Sequence, residues 1–173
     1  AEYMKTLQAE FAKKEQQWNK LFEEYKKENP QLAKQWEIWH SKELPVDLLN
    51  DEEYWQYEGN IATRASSEQV LQKLSKVIPN LFGGSADLAP SNKSVMKDRG
   101  YYSAQTPEGS NIHFGIREFA MTAMANAMAL HGGLRPYIAG FFVFSDYMKA
   151  GLRMQALMEV PVISIMTHDS IGV

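Results

Sequence analysis

The sequence contains no cysteine, which excludes disulfide bonds and thiolate metal sites. It also lacks an excess of basic residues, because 18 Lys and Arg stand against 21 Asp and Glu, for a formal net charge of −3. This balance does not favour binding to nucleic acid or to an anionic membrane surface. No apolar run is long enough to span a bilayer, and the N-terminus lacks the apolar stretch of a signal peptide. These absences are compatible with a cytoplasmic protein, which is what we expect.

The length of 173 residues allows one domain, or one domain with an extension. Apolar residues make up 45% of the chain, which is enough to form a sizeable core. The chain ends at Ile171, Gly172 and Val173, inside a stretch that has the pattern of an unfinished element. We therefore expect a fragment of a longer protein.

The first 60 residues have the pattern of a helical arm. Residues 3–28 are rich in Lys and Glu and contain neither Gly nor Pro, and their apolar side chains recur at the three- and four-residue steps of a helix. Pro30 interrupts this pattern, and a second helix is predicted over residues 31–40, before a turn-rich passage that begins at Pro45. Such an arm could bind a partner helix, but we interpret it as a linker that packs on its own domain or on a neighbouring one.

From residue 61 to residue 173, short apolar runs alternate with helical patterns. Strands are predicted at residues 81–85, 112–114, 136–139 and 161–166, helices at 66–77, 116–131 and 144–158, and a loop rich in Pro, Ser, Asn and Gly at 86–110. The alternation predicts an α/β fold, with a parallel sheet covered by helices on both faces and preceded by the helical arm.

Three local expectations accompany this fold. Ser66 or Ser67 is predicted to cap the first of these helices, with Glu68 as a favourable charge in its first turn. The helix at 116–131 carries apolar side chains on almost every side, so it is predicted to be buried all round. The last strand is a continuous apolar run, which is typical of a sheet covered on both faces.

Ligands of parallel sheets bind outside the carboxyl ends of the strands, and the candidate residues gather at such ends. Glu118 lies near the start of a predicted helix, where it either stabilises the helix terminus or acts chemically; the residues alone leave both open. Phe141, Phe144 and Tyr147 are spaced three apart, which is typical of a core stripe as well as of a ring-binding wall. Arg117 is interpreted as a structural salt-bridge partner.

Five motifs resemble the central, pyrimidine-binding domain of transketolases, a family of thiamine-diphosphate enzymes. They are IATR at 61–64, GGSADLAPSN at 83–92, FGIREF at 114–119, GFFVFSDY at 140–147 and THDSIGV at 167–173. The resemblance implies a linker or arm over residues 1–60 and a C-terminally truncated pyrimidine-binding domain over 61–173. It also implies a transferase of the pentose phosphate pathway, which moves a two-carbon ketol unit from a ketose phosphate to an aldose phosphate.

The resemblance gives roles to residues that bind the cofactor. It implies that Glu118 hydrogen-bonds the ring nitrogen N1′ of the aminopyrimidine and so promotes the proton transfers that activate thiamine diphosphate. It implies that Phe144 stacks on the pyrimidine, with Phe141 and Tyr147 beside it. Asp87 would lie near the cofactor at the dimer interface.

The resemblance also assigns the substrate residues. Arg64 and Ser91 would bind the phosphate of the sugar, as a planar guanidinium and a hydroxyl can do, and His168 would contact a substrate hydroxyl. Asp169 and Ser170 follow His168, but three consecutive residues cannot face one another as a hydrolase triad. The roles of His113 and His131 stay open.

Parts of the family's active site are missing from the sequence. The GDG…N motif that binds the diphosphate and Mg²⁺, or another divalent cation, is absent, so no metal ligand is predicted in this chain. In the family, the partner subunit of a homodimer supplies the other half of the site, and the isolated chain is therefore predicted to be inactive.

Two alternatives to transketolase remain. Dihydroxyacetone synthase resembles transketolase but uses formaldehyde as the acceptor, and the acceptor preference cannot be read from this part of the chain. A noncatalytic interaction protein could use the same fold, with the N-terminal helices as its binding surface. Deoxyxylulose-phosphate synthase and dehydrogenase E1 components are more distant, because their motifs around the glutamate differ from FGIREF.

Overall fold

The structure, a computed structural model, describes residues 2–41, 43–44, 47–48 and 50–169. The chain divides into two compact units, Ala1–Ser41 and Lys42–Val173. The helices are α1 (Glu2–Glu28), α2 (Pro30–His40), α3 (Thr63–Val77), α4 (Ala89–Asn92), α5 (Glu118–His131) and α6 (Ser145–Leu157). The strands are β1 (Leu81–Ser85), β2 (Asn111–His113), β3 (Arg135–Phe141) and β4 (Ile163–Thr167), and short 3₁₀ helices lie at Glu52–Tyr54 and Phe142–Phe144. None of the described helices is long and apolar enough to span a membrane.

The first unit is a pair of helices, as the periodicity of the arm predicts. Pro30 is the first residue of α2, where a proline sacrifices no helical hydrogen bond. The rings of Trp18 and Phe22 stack along α1 with centroids 5.0 Å apart, and Phe22 contacts Trp36 of α2 at 5.6 Å. The apolar stripe of the arm therefore joins its two helices. Pro45, where the turn-rich passage is predicted to begin, lies outside the described residues.

A four-stranded parallel sheet, in the order β2-β1-β3-β4, forms the centre of the second unit. Gly83 of the central strand β1 pairs with Asn111 of β2 and with Tyr137 of β3. A Cβ at Gly83 would lie 1.9 Å from the carbonyl oxygen of Tyr137, so a larger residue would push β1 and β3 apart. The predicted parallel sheet is confirmed, with strand bounds shifted by only one or two residues.

Helices cover both faces of this sheet. On one face, Met121 and Ala125 of α5 and Met148 of α6 pack with Ile138 in a buried cluster. On the other face, the neighbouring residue Tyr137 joins a second cluster, which also contains Leu71 of α3 together with Ile78, Leu81 and Met96. Successive residues of β3 thus point to opposite faces, as the pleat of a strand requires. The predicted arrangement of helices on both faces is confirmed.

The start of α3 differs from the prediction. The helix begins at Thr63, and Ala62 occupies the N-cap position without a side-chain hydrogen bond. Ser66 lies inside the helix, where its hydroxyl donates to the carbonyl of Thr63. Because the helix starts earlier than predicted, Glu68 is not in its first turn. Glu68 instead forms ion pairs with Lys93 at 3.0 Å and Lys97 at 3.2 Å.

The prediction that the helix at 116–131 is buried all round is wrong. Its inner side packs against β3 and α6, but Phe119, Met124 and Leu130 on the outer side are exposed. The prediction for the last strand, a strand covered on both faces, holds only for its second half, where Ile165 and Met166 pack on the clusters at opposite faces of the sheet. Among the described strands β4 pairs with β3 alone, so it lies at the edge of the sheet, and its first residues are exposed.

The predicted loop at 86–110 contains one helical turn, α4. Pro90 marks a loop in the sequence pattern, but proline is also well tolerated in the first turn of a helix, where no hydrogen bond is lost. The turn ends at Lys93, which adopts the left-handed conformation with φ of 54°. The remainder of the segment is irregular, as predicted.

Candidate active site

A cleft with a volume of about 490 Å³ opens at the carboxyl edge of the sheet. Three segments build it: the turn that follows β1, the start of α5, and the residues that lead from β3 into α6. The residues that line it are Ala86, Asp87, Leu88, Ile116, Glu118, Phe144 and Tyr147. The walls are therefore mainly apolar, and two carboxylates reach the cleft.

Glu118 is the first residue of α5 and is buried, with 8% of its surface exposed. The hydroxyl of Thr122 donates to its backbone carbonyl at 2.8 Å and so fixes the first turn of the helix. No donor among the described residues hydrogen-bonds its carboxylate. The helix terminus favours a negative charge at this position. A carboxylate that reaches a cleft from a largely buried residue, with no donor among the described residues, is available to a ligand that donates a hydrogen bond.

Arg117 does not form the predicted salt bridge. Its guanidinium donates to the backbone carbonyl of Phe114 at 2.9 Å, and none of the ion pairs within the described part of the chain includes it. The adjacent turn explains this contact, because Gly115 adopts φ of 68° and brings the guanidinium back over the backbone. Arg117 thus stabilises the turn that leads into Glu118.

The three predicted aromatic residues form a row rather than a core stripe. The ring centroids of Phe141 and Phe144 lie 6.0 Å apart with planes at 5°, and those of Phe144 and Tyr147 lie 6.2 Å apart. Phe144 and Tyr147 line the cleft, whereas Phe141 lies behind Phe144. Tyr147 is 65% exposed, so a core stripe does not describe this row.

Asp87 occupies the turn between β1 and α4. Its φ of 62° is in the left-handed region, which Asp adopts more readily than most residues. This conformation turns the chain sharply at the end of β1. Asp87 and its neighbour Leu88 thereby line the cleft opposite the aromatic row.

Arg64, Ser91 and His168 form a second group. Nη1 of Arg64 lies 2.9 Å from Nε2 of His168 and 3.4 Å from the backbone carbonyl of Ser91. Because a guanidinium can only donate, Nε2 of His168 accepts and the ring proton is on Nδ1. Nδ1 then donates to the hydroxyl of Thr167 at 2.8 Å. This arrangement fixes both the tautomer and the orientation of the imidazole.

The second group borders a cleft of about 620 Å³ between α3 and the end of β4. Thr63 and Ser67, in the first turns of α3, line it together with Arg64, His168 and Asp169. Because the α3 N-terminus presents free N–H groups and a positive partial charge, it suits an anion. The sequence did not indicate this contribution, since the predicted helix start was three residues too late.

One aromatic contact connects the two groups. The ring of Phe141 stacks on that of Phe144, and its centroid lies 3.9 Å from that of His168. The structure thus brings all predicted site residues to one edge of the sheet. Among the described residues, no cluster of three His, Asp or Glu side chains could hold a metal ion. Residues 170–173 of the THDSIGV motif lie outside the described residues.

Residues 59–173 match the family model described as the transketolase pyrimidine-binding domain. The chain is also 50% identical, over 159 residues, to the transketolase of Staphylococcus aureus strain MRSA252. The chain belongs to the transketolase family. The alignment with that transketolase covers 92% of this chain and 24% of the relative, so the chain spans about a quarter of the relative's length.

Other transketolases agree with this assignment. The Bacillus subtilis strain 168 transketolase is 50% identical over 161 residues, which cover 93% of this chain and 24% of that protein. The crystal structure of Pichia stipitis transketolase in complex with sedoheptulose-7-phosphate matches with a TM-score of 0.83 and 36% identity, over 95% of this chain and 25% of that chain. These matches confirm the predicted α/β pyrimidine-binding fold of transketolase.

The transketolase domain model begins at residue 59, four residues before α3. All elements from α3 to β4 lie within the matched range, and so do both groups of site residues. The division of the chain at residue 60 into an arm and a domain stays a prediction, and so do the roles of the individual residues.

Proposed function

We propose that this domain holds the aminopyrimidine end of thiamine diphosphate in the cleft between Glu118, Asp87 and Phe144. The parent protein would be a transketolase that transfers a two-carbon ketol unit from a ketose phosphate to an aldose phosphate. The observation that carries this proposal is the carboxylate of the largely buried Glu118, which lines a cleft with mainly apolar walls and lacks a donor among the described residues. We call this parent transketolase the full-length enzyme.

The residues present fit an aminopyrimidine. A flat heterocycle needs apolar surfaces above and below its plane and a polar partner at its edge. Leu88, Ile116 and Phe144 supply apolar surfaces, and Glu118 supplies the partner for a ring nitrogen. A ring nitrogen that shares a proton with this carboxylate would satisfy the one buried charge of the cleft.

The side chains of this domain would bind and orient the aminopyrimidine ring and hold a proton beside it. Thiamine diphosphate, when bound, supplies the carbon nucleophile and the electron sink of ketol transfer. Glu118 would hold a proton between its carboxylate and the N1′ atom of the ring. Phe144 would set the plane of the ring by stacking, with Phe141 and Tyr147 beside it, and the apolar walls would exclude water.

The second group supports a site for the sugar phosphate. Arg64 uses Nη1 for its contacts with His168 and Ser91, and Nε and Nη2 have no acceptor among the described residues. A guanidinium with free donors, next to the N-terminus of a 15-residue helix, suits a phosphate. The Pichia stipitis transketolase that this chain resembles is described in complex with a sugar phosphate, which is consistent with this role.

The remaining expectations concern what lies beyond this chain. A domain outside it would bind Mg²⁺ and the diphosphate, and a second subunit would complete the site, so the pure 173-residue chain should show no ketol transfer. The exposed apolar side of α5 supports a homodimer, and a cytoplasmic location fits an enzyme of sugar phosphates. The relatives are named transketolases, which favours this activity over a dihydroxyacetone synthase or a noncatalytic module.

The replacement Glu118→Gln in the full-length enzyme tests the proposal. It keeps the shape of the side chain but removes its ability to take up a proton. We expect the rate of ketol transfer to fall by about 10²–10⁴-fold, as is typical when a general acid–base group is lost. Glu108→Gln, at an exposed carboxylate of the loop before β2, is the matched control and should leave the rate unchanged. A Glu118→Gln enzyme with nearly the parent rate would overturn the proposal.

A further inference from the structure

Asn92, the last residue of α4, is completely buried between the cofactor cleft and the sugar-phosphate group. Because the neighbouring carbonyls of Leu88 and Ala89 can only accept, we assign the amide with its nitrogen toward them and its oxygen toward the hydroxyl of Ser85 at 2.9 Å. The amide nitrogen donates to the hydroxyl of Ser94 at 2.6 Å and to the carbonyl of Leu88 at 3.0 Å. Both polar atoms of the amide thus have partners within residues 85–94.

The partners of Asn92 are themselves buried and held. Ser85, at the end of β1, accepts the backbone N–H of Leu88 with its hydroxyl at 3.2 Å. The carbonyl of Ser94 accepts the hydroxyl of Tyr137 at 2.8 Å, which ties the cluster to β3. Burial, with a smaller effect of Tyr101, raises the pKa of Tyr137 well above its ordinary value, so this hydroxyl keeps its proton.

The hydrogen bonds of Asn92 enclose the turn from Ala86 to Ser91. This turn carries Asp87, in its left-handed conformation, and Leu88, and both line the cofactor cleft. At its other end, the carbonyl of Ser91 lies 3.4 Å from Arg64 of the sugar-phosphate group. One buried amide therefore lies behind both groups of site residues.

We infer that Asn92 is a positioning residue, which fixes the turn that forms one wall of the cofactor cleft and holds Ser91 beside Arg64. This inference rests on the proposed function, because it assigns Asn92 to the binding of the same two ligands. Asn92 is not among the residues that line the two clefts. Its loss would leave Glu118 and the aromatic row in place but would release Asp87 and Leu88.

The test is Asn92→Ala in the full-length enzyme, with Asn80→Ala as the matched control. Asn80 is also a buried asparagine whose amide donates to a backbone carbonyl, that of Gly133 at 3.1 Å. It precedes β1 at the opposite edge of the sheet, far from both groups. If Asn92 had a purely structural role, the two variants would show the same KM values and the same hydrogen exchange once they had lost the same thermal stability.

We expect Asn92→Ala to raise the KM for thiamine diphosphate about tenfold and the KM for the ketose phosphate several-fold, the scale of losing buried hydrogen bonds. The kcat at saturation should stay within about threefold, because Glu118 keeps its place. Hydrogen exchange of the peptide that spans residues 84–94 should speed up in Asn92→Ala and not in Asn80→Ala. If Asn92→Ala fails to fold, Ser85→Ala removes the hydrogen bond to the Asn92 carbonyl oxygen, together with the one from the N–H of Leu88, and should shift the same two KM values and the same exchange.

The outcomes separate the two proposals. If Asn92→Ala shifts neither KM nor exchange beyond Asn80→Ala, while Glu118→Gln abolishes ketol transfer, the positioning role is wrong and the proposed function stands. If the parent neither binds thiamine diphosphate nor responds to Glu118→Gln, the proposed function fails, and with it the role of Asn92.

Discussion

Single side chains of the proposed site differ in what surrounds them, and this decides what each can do. Glu118 is largely buried and its carboxylate has no donor in the part of the chain that the structure describes, so it is available to a ligand. Arg64 and His168, by contrast, already hold each other in a fixed orientation. The motif FGIREF predicted the position of Glu118. The pairing of Arg64 with His168 could not be predicted, because the two residues are 104 positions apart and meet only in the folded sheet.

Phe144 and its neighbour Phe142 offer a matched pair of replacements. Phe144 lines the cofactor cleft, and Phe142 is exposed and does not line it. Phe144→Leu in the full-length enzyme should raise the Kd for thiamine diphosphate by about 2–10-fold, because a stacked ring contributes roughly 0.5–1.5 kcal/mol beyond its buried area. Titration calorimetry measures this, and Phe142→Leu should leave the Kd unchanged. Equal effects of the two replacements would contradict the stacking role.

The helices α5 and α6 both contribute residues to the cofactor cleft, and they approach each other closely at Thr122 and Gly151. Glu118, Thr122 and Asn126 follow one another at four-residue steps along α5. The amide of Asn126 donates to the carbonyl of Gly151 on α6 at 2.9 Å. Tyr147, which lines the cleft, lies one turn before Gly151. Below the cleft, side chains of α5 therefore pack directly on the backbone of α6.

Gly151→Ala should destabilise the protein, because an added Cβ would lie 2.6 Å from Cγ2 of Thr122. We expect urea denaturation to show a loss of about 1–3 kcal/mol in the free energy of unfolding, as is usual for overpacking. Thr122→Ser, which removes that methyl group, should restore part of the loss. Gly140→Ala is the control, because its Cβ would meet only the flexible end of Met148 at 3.0 Å. Unchanged stability of Gly151→Ala would show that α6 moves freely.

The ion pairs of Glu68 connect α3 to the segment after α4, and they make a prediction for pH. The hydrogen bond from Lys93 is the main cause that lowers the pKa of Glu68 below 4.5; burial opposes it, and Lys97 adds to it. A lowered pKa means that folding favours the ionised form. The stabilisation is therefore complete above pH 4.5 and is lost as the pH falls through the lowered pKa of the folded state.

We expect Glu68→Gln to reduce the free energy of unfolding by about 0.5–1 kcal/mol at neutral pH, since both lysines are partly exposed and screened. The difference from the parent should vanish well below pH 4.5, and high salt should shrink it. Glu159→Gln is the matched control, at an exposed carboxylate that takes part in none of the ion pairs of the described residues. A Glu68→Gln difference that persists at low pH would rule out the ion pairs as its cause.

The sequence predicted the elements of the fold better than their ends and surfaces. Alternating apolar runs and helical patterns gave the parallel sheet and both helical layers. The start of α3 was missed because Ala62 is a weak capping residue and Ser66 a strong one in the sequence pattern. The exposure of α5 and β4 was missed because an apolar surface has the same pattern whether the same chain or another protein covers it.

At the scale of the whole molecule, the feature that matters is the exposed apolar side of α5. Phe119, Met124 and Leu130 are each about half exposed, at 56%, 49% and 59%. Several large apolar side chains exposed along one helix are typical of a surface that another molecule covers. This side supports the homodimer that we propose for the full-length enzyme.

Met124→Asp in the full-length enzyme should weaken that dimer, because it buries an unpaired charge in the apolar contact. Sedimentation should then show a larger monomer fraction at micromolar concentration, and ketol transfer should fall in parallel. Gln69→Asp, at an exposed position of α3 on the other face of the sheet, should change neither. A Met124→Asp enzyme that stays dimeric would place the contact elsewhere.

The cleft at Glu118 is proposed to receive the aminopyrimidine ring. The decisive experiment is a crystal structure of the full-length enzyme with thiamine diphosphate and Mg²⁺. We expect the N1′ atom within about 2.6–3.2 Å of the Glu118 carboxylate, with the ring against Phe144. A ring bound outside the cleft, or a Glu118 carboxylate turned away from it, would overturn the proposed function.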